Sequence, residues 1–122
     1  MIIGIGLDMV EVARIKRSLD NPRFLDKVFT PLEQEYILSR AMNAQTAAGI
    51  FAVKEAVSKA LGTGFGCVRW TDVEILREEQ GRPYAILKDT ALSQMQSMGG
   101  KSVWVSITHI KDYAAAQAII EG

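Results

Sequence analysis

The chain has 122 residues, of which 48% are hydrophobic, and this length suits one domain with an ordinary core and no room for a second. Its 14 basic and 14 acidic residues give a net charge of zero, which argues against a general nucleic-acid or membrane binder. The single cysteine, Cys67, excludes an internal disulfide and a multi-thiolate metal site, and neither a signal peptide nor a membrane-spanning apolar run is recognisable, so we expect a reduced, cytoplasmic protein.

The opening residues MIIGIGLD predict a strand with two glycines and a carboxylate, Asp8, at its end. Because side chains alternate, Gly4, Gly6 and Asp8 share one face, opposite an apolar face formed by Ile3, Ile5 and Leu7. Glycine weakens a strand by roughly 0.5–1 kcal/mol relative to alanine, so a pair indicates close approach by something else. Either a helix packs on the glycines and Asp8 caps the next helix, or the bare face leaves room beside a site. A dinucleotide fingerprint is excluded, because its third glycine would fall at Met9.

Three helices are predicted in the first half of the chain, followed by a longer one. A mixed apolar and basic pattern over 10–19 predicts a helix just after Asp8, and Asn21-Pro22 is typical of the start of a second short helix. The sequence TPLE at 30–33 combines a capping box with a proline at the first helical position, which predicts a helix to about Arg40. The proline-free, alanine-rich segment 45–62 predicts the longest helix, with Gly62 as its C-terminal cap.

The second half of the chain predicts two hairpins separated by a helix. Strands over 73–78 and 83–88 flank a turn at 79–82, a helix follows over 89–98, and strands over 102–109 and 113–120 form the second hairpin. Helices gathered early and hairpins late predict an α+β fold with a mainly antiparallel sheet, packed by the long central helix.

The long helix carries a glutamate and a lysine on a face with few charges. Glu55 and Lys59 lie one turn apart, opposite an apolar stripe formed by Ile50, Val53, Val57 and Leu61. An exposed pair at this spacing is common and worth roughly 0.2–0.5 kcal/mol. The neighbours on this side, however, are Ala48, Ala52 and Ala56, so the helix is predicted to be covered on both sides. A glutamate and a lysine on a semi-buried face then favour a functional site.

Two separated carboxylates and a lysine are typical of a magnesium and phosphate site. Asp8 and Glu55 would bind Mg²⁺, with water and phosphate oxygens completing its coordination, and Lys59 would contact the same phosphates. The alternating glycines that follow the helix, at 62, 64 and 66, would let backbone amides approach a ligand. The only histidine, His109, ends the strand VSITH, and a lone histidine is more often structural than catalytic.

Four segments occur in order along the chain: GIGLDMVEVARI, FAVKEAVSKALGTGFG, GRPY and VSITHIKDYAAAQAIIE, with FTPLE at 29–33 as a further match. Together they closely resemble the small holo-[acyl-carrier-protein] synthases, the phosphopantetheinyl transferases that serve fatty-acid synthesis. The resemblance spans essentially the whole chain. It implies a phosphopantetheinyl transferase-like fold and transfer of 4′-phosphopantetheine from coenzyme A to a serine of apo acyl carrier protein, with release of adenosine 3′,5′-bisphosphate.

The resemblance also implies roles for individual residues. Asp8 and Glu55 match the Mg²⁺ ligands, Lys59 matches a phosphate-contacting lysine, and His109 matches the histidine of the SITH motif. The positions assigned to coenzyme A are Lys59, Gly62, Gly64, Gly66, Pro83 and His109, and those assigned to catalysis are Glu55, Lys59 and His109. The base that accepts the serine proton stays open between Glu55, acting directly or through a metal-bound water, and His109, which would otherwise contact a nucleotide phosphate.

Assembly and partner docking follow from the resemblance together with two local features. The family implies a homotrimer with active sites at subunit boundaries, and we expect Gln117 in YAAAQAII to lie at or near that contact; the alternative is an edge-strand glutamine facing water. Arg14 and Arg17 are three residues apart and share a helix face, which predicts docking of an acidic carrier-protein helix. The alternative there is an ordinary solvated face.

Two other functions are compatible with the same residues. A Mg²⁺-dependent phosphohydrolase would use Asp8, Glu55 and Lys59 with water as the nucleophile. A non-catalytic nucleotide-binding module would bind the same phosphates without turnover.

Overall fold

Five helices and five strands make up the chain, which a computed structural model describes from residue 1 to residue 122. Two short 3₁₀ turns, Gly64–Gly66 and Trp70–Asp72, follow the longest helix. The elements are β1 (Ile2–Glu11), α1 (Val12–Ser18), α2 (Pro22–Val28), α3 (Pro31–Ser39), α4 (Ala44–Ala60), β2 (Val73–Arg77), β3 (Pro83–Leu87), α5 (Asp89–Ser97), β4 (Ser102–His109) and β5 (Tyr113–Glu121).

The strands form two antiparallel sheets. One has the order β1-β5-β4, and the other is the β2–β3 hairpin. Both predicted hairpins are present, and the α+β class with a mainly antiparallel arrangement is confirmed. None of the five helices combines the length and the apolar character needed to cross a bilayer.

Local capping signals explain where the helices begin and end. Thr30 and Glu33 form the reciprocal capping box at the start of α3, as predicted. The Asn21 side chain accepts a hydrogen bond from the Arg23 backbone at the start of α2. After α4, Gly62 adopts a φ of +80°, a left-handed conformation that favours glycine.

Helix α4 is the centre of the core, and both of its sides are covered. The predicted apolar stripe is buried, and so are the alanines on the opposite side, Ala48, Ala52 and Ala56, which are all 0% exposed. The helix packs against the inner face of the three-stranded sheet. A polar side chain on this helix is therefore held among close neighbours rather than on a mobile surface.

The two glycines of β1 accommodate α4 rather than a ligand. A Cβ atom added at Gly4 would collide with the carbonyl oxygen of Ala60, and one at Gly6 with that of Ala56. The suggestion that the bare face leaves room beside the site is therefore wrong, and a helix packs on the glycines, as the alternative predicted for them. The close approach brings the α4 backbone directly against β1.

Strand β1 is longer than predicted, which changes the position of Asp8. The strand pairs with β5 as far as Glu11 opposite Tyr113, and α1 begins only at Val12 rather than near residue 10. Asp8 thus lies within the strand and caps no helix, since the N-cap position of α1 is Glu11. Pairing with a strand from the far end of the chain decides this boundary, and local helix propensity cannot reveal it.

The sheet face turned away from α4 is apolar and open in the single chain. We refer to this surface as the outer sheet face; its large apolar members are Ile5 (63% exposed), Leu7, Met9 and Trp104. Gln117 also lies on it and is exposed. Because β5 is the central strand, Gln117 is not the edge-strand residue that one alternative assumed.

Candidate active site

Asp8, Glu55 and Lys59 come together where β1 lies against α4, and we refer to them as the β1–α4 cluster. Lys59 Nζ donates to Asp8 Oδ1 at 3.1 Å and to the Leu7 carbonyl oxygen at 2.9 Å. Lys59 therefore joins the long helix to the first strand. It forms no ion pair with Glu55, although the i, i+4 spacing of the two residues suggested one. Its side chain is half exposed, so it also faces a ligand approaching from solvent.

The Glu55 carboxyl sits in an environment that disfavours its own charge. Partial burial raises its pKa above the ordinary value, and the nearby charge of Asp8 raises it further. Lys59 and Arg14 act in the opposite direction without cancelling the effect. Two carboxylates this close, with a net upward shift at one of them, form a site where an added cation is electrostatically favoured.

The donor set of the β1–α4 cluster fits Mg²⁺. No group of three or more His, Cys, Asp or Glu side chains converges in the chain, so the protein would contribute two carboxylates at most. Mg²⁺ is commonly held by one or two carboxylates, with water and substrate phosphates in its remaining positions. Asp8 and Glu55 are the residues that would hold it, and Lys59 stands beside them as a phosphate contact.

The raised pKa of Glu55 predicts a pH-dependent gain in stability for Glu55→Gln in the metal-free protein. Because the folded-state pKa lies above the ordinary glutamate value, the protonated carboxyl stabilises the fold at low pH, and this contribution is lost as pH rises from the unfolded-state pKa through the folded-state pKa. The variant should therefore have the higher Tm at pH 7, and the difference should vanish near pH 4. Saturating Mg²⁺ should then raise the Tm of the wild type alone. Thermal unfolding at both pH values tests this, and a pH-independent difference would contradict it.

Beyond the cluster, α4 leads into the glycine segment 62–66. Space around Gly62, Gly64 and Gly66 is open, since an added Cβ at any of them would meet nothing within 4 Å. Gly64 has a φ of +61°, another left-handed conformation. This open turn directly follows the end of α4 that carries Lys59. The sequence predicted a ligand-binding segment at this position.

An aromatic stack that the sequence analysis did not identify borders this region. The Phe65 ring stacks on Trp70 with centroids 3.7 Å apart, and Trp70 in turn stacks on Phe51 at 5.2 Å. The Arg14 guanidinium lies 5.5 Å from the centre of the Phe51 ring. These four residues come from three separate segments of the chain, around 14, 51 and 65–70, and no periodic pattern links them. Arg14 is thus an immediate neighbour of the β1–α4 cluster as well as a surface residue.

His109 lies in a different place. It lines a cavity of about 330 Å³ that we call the His109 cavity, whose other polar and glycine walls are Tyr36, Arg40, Gln45, Thr46, Gly49, Arg77 and Gly81. Two guanidinium groups, of Arg40 and Arg77, lie 5.3 Å and 5.7 Å from the centre of the Tyr36 ring. No carboxylate lines the cavity, so it is suited to an anion.

The predicted site residues of one chain therefore form two separate groups. Asp8 is on β1 and His109 on β4, with β5 between them, which places them two strand spacings apart, about 10 Å across the sheet alone. Pro83 begins β3 and pairs with Arg77 of β2, which lines the His109 cavity, so it lies beside that cavity. Of the residues assigned to coenzyme A, Lys59 and the three glycines therefore lie at or next to the β1–α4 cluster, whereas Pro83 and His109 lie apart from it within one chain.

Comparisons with known proteins agree with these features. Residues 4–118 match the model of the 4′-phosphopantetheinyl transferase superfamily. A Clostridium botulinum holo-[acyl-carrier-protein] synthase is 47% identical over 122 residues, covering 99% of this chain and 98% of that protein. The crystal structure of the Neisseria meningitidis holo-[acyl-carrier-protein] synthase is 29% identical, with full coverage of both chains and a TM-score of 0.90.

A second solved structure, the Helicobacter pylori holo-[acyl-carrier-protein] synthase in complex with coenzyme A, has a TM-score of 0.84 and 29% identity, covering 96% of this chain and 99% of that one. Fold, sequence and family model thus agree over nearly the whole length. The chain belongs to the 4′-phosphopantetheinyl transferase superfamily, among its holo-[acyl-carrier-protein] synthases.

Proposed function

We propose that the protein transfers 4′-phosphopantetheine from coenzyme A to a serine of apo acyl carrier protein in a Mg²⁺-dependent reaction that releases adenosine 3′,5′-bisphosphate and serves fatty-acid synthesis. The observation that carries this proposal is the meeting of Asp8, Glu55 and Lys59 at the β1–α4 contact. The coenzyme A complex of the Helicobacter pylori relative supports coenzyme A as the donor.

The chemistry follows from positioning and charge. The serine oxygen attacks the pyrophosphate phosphorus that bears the pantetheine arm, and the bond to the bridging oxygen of the pyrophosphate breaks. Lys59 holds a phosphate oxygen and offsets its charge. Mg²⁺, when bound, neutralises charge on the pyrophosphate. Glu55 or His109 would accept the proton of the serine hydroxyl.

We further propose a homotrimer in which the His109 cavity of one subunit adjoins the β1–α4 cluster of the next. The apolar outer sheet face supports this, because its exposed side chains would be removed from water in an assembly, with Gln117 at or near the contact. In such an assembly the carboxylate-free cavity, with Arg40 and Arg77, would bind a phosphate of the nucleotide. The two groups, separate within one chain, would then form one site.

The test is mass spectrometry of an apo acyl carrier protein incubated with the enzyme, coenzyme A and Mg²⁺. Transfer adds the phosphopantetheine mass to the carrier. Hydrolysis of coenzyme A without a mass gain would favour a phosphohydrolase, and binding without turnover would favour a nucleotide-binding module. Either of these two results would contradict the proposal.

Arg17 provides the sharper test of carrier docking on α1, because Arg14 also influences Glu55. Arg17→Glu should raise the KM for the carrier and weaken its dependence on salt, since charge attraction acts mainly on encounter and is screened over roughly 10 Å at 0.1 M salt. The KM for coenzyme A should stay unchanged. The matched control is Lys111→Glu, an exposed lysine in the β4–β5 turn. The measurement is the transfer rate as a function of carrier concentration at low and at high salt. Identical curves for Arg17→Glu and Lys111→Glu would contradict docking at α1.

A further inference from the structure

A buried ion pair lies next to the proposed metal ligand in the sequence. Lys54 Nζ donates to Glu33 Oε1 at 2.5 Å, and both side chains are 0% exposed. Lys54 directly precedes Glu55 on α4, so the two residues point about 100° apart around the same turn of the helix. One faces the interior, and the other faces β1 and the ligand side.

Glu33 fixes this pair to two further elements. Its carboxylate accepts hydrogen bonds from the Thr30 backbone N–H at 2.8 Å and from the Ile75 backbone N–H at 2.7 Å. The capping-box glutamate thus joins α3, α4 and β2 through one buried group. Through its hydrogen bond to Glu33, Lys54 links the long helix α4 to α3 and β2.

Stability alone is a weak explanation for the Glu33–Lys54 pair. Burial raises the pKa of Glu33 and lowers that of Lys54, which reflects the cost of removing both charges from water. Apolar residues of similar volume would avoid that cost, and buried pairs replaced in this way are often no less stable. What an ion pair adds is a defined orientation of its two side chains, because its hydrogen bonds form only within a narrow range of distances and angles.

The orientation of α4 matters here because the contact on the side of the helix opposite Lys54 lacks interlocking side chains. Helix and strand meet there through Ala56, Ala60 and the two glycines of β1, which lack large side chains to interlock. A side-chain group lies about 5–6 Å from the helix axis, so a rotation of about 10° moves it by about 1 Å. A functional geometry tolerates roughly 0.5 Å.

We propose that the Glu33–Lys54 pair sets the rotation of α4 about its axis and thereby holds Glu55 at the correct distance from Asp8 to bind the divalent cation. Glu33 and Lys54 are positioning residues that contact no substrate. This inference depends on the proposed metal role of Glu55, and its test separates the two.

The test measures Mn²⁺ binding to the assembled protein without substrate, by electron paramagnetic resonance of free Mn²⁺. In the double variant Glu33→Gln/Lys54→Met both charges are removed together, so no lone buried charge remains. We expect Mn²⁺ to bind at least tenfold more weakly, with an unchanged circular dichroism spectrum. The kcat at fixed Mg²⁺ should fall, while the KM for coenzyme A stays within twofold.

The control is Glu78→Gln/Arg82→Met, which removes an exposed Arg–Glu pair of 2.9 Å in the β2–β3 turn, outside α4 and without contact to Glu33 or Lys54. Its Mn²⁺ affinity should equal that of the wild type. A folded Glu33→Gln/Lys54→Met variant with wild-type Mn²⁺ affinity, or an equal loss in the control, would overturn the inference. A wild type that binds no Mn²⁺ would remove the proposed metal site and this inference with it. If the double variant does not fold, the Mn²⁺ affinity of Glu33→Asp is measured instead, because this substitution keeps the charge and shortens the side chain by one methylene. Wild-type Mn²⁺ affinity in folded Glu33→Asp would overturn the inference.

Discussion

Replacing Glu55 or Asp8 with alanine should lower the transfer rate by about 10²–10³-fold or more, because each change removes one of the two carboxylates that would hold the cation against the pyrophosphate. Glu55 is half-buried and carries no structural hydrogen bond through its side chain, so Glu55→Ala should still fold. The rate of carrier modification at saturating coenzyme A is the measurement.

The control for these variants is Glu78→Ala, which removes an exposed carboxylate paired with Arg82 in the β2–β3 turn. Its transfer rate should stay close to that of the wild type. Chelation should abolish wild-type activity, and restored Mg²⁺ should return it. Near-normal transfer by folded Glu55→Ala would contradict the assignment of the β1–α4 cluster as the metal site.

Ile5→Glu should dissociate the assembly and reduce activity at least 10²-fold, although it lies outside the β1–α4 cluster. Ile5 is 63% exposed on the outer sheet face of one chain, so the monomer should tolerate a charge there. The same charge would be unfavourable in an apolar contact between subunits. Sedimentation should show monomers for the variant and trimers for the wild type.

The matched control is Leu38→Glu, at an apolar residue on α3 that is 66% exposed and away from the outer sheet face. This variant should remain trimeric and active. A fully active monomer of Ile5→Glu would contradict the proposal that sites form at subunit boundaries.

The features that the sequence predicted well depend on neighbouring residues. The capping box of Thr30 and Glu33 sets the start of α3 through contacts three residues apart, and Gly62 marks the end of α4 through its own backbone conformation. The covering of α4 on its second side was predicted because alanines, rather than charged residues, surround Glu55 and Lys59 on that face. In each case the signal lies within a turn or two of the chain.

The features that the sequence did not predict depend on pairings between distant segments. The extent of β1 depends on β5, more than 100 residues later, and the burial of Glu33 depends on Lys54 and Ile75. A capping-box glutamate is usually a surface residue, and nothing local indicates that this one is buried. The separation of His109 from Asp8 follows from the strand order β1-β5-β4, which no motif encodes.

A mixing experiment tests most directly whether the site is formed by two subunits. One parent carries Asp8→Ala, which disables the β1–α4 cluster, and the other carries His109→Ala with Arg77→Glu, which disables the His109 cavity. Each parent alone should transfer almost no phosphopantetheine. After subunit exchange, verified by native mass spectrometry, about one quarter of the boundary sites in a random mixture contain both intact halves, so about a quarter of wild-type transfer should return. Exchanged assemblies without any recovered transfer would contradict a site shared between subunits.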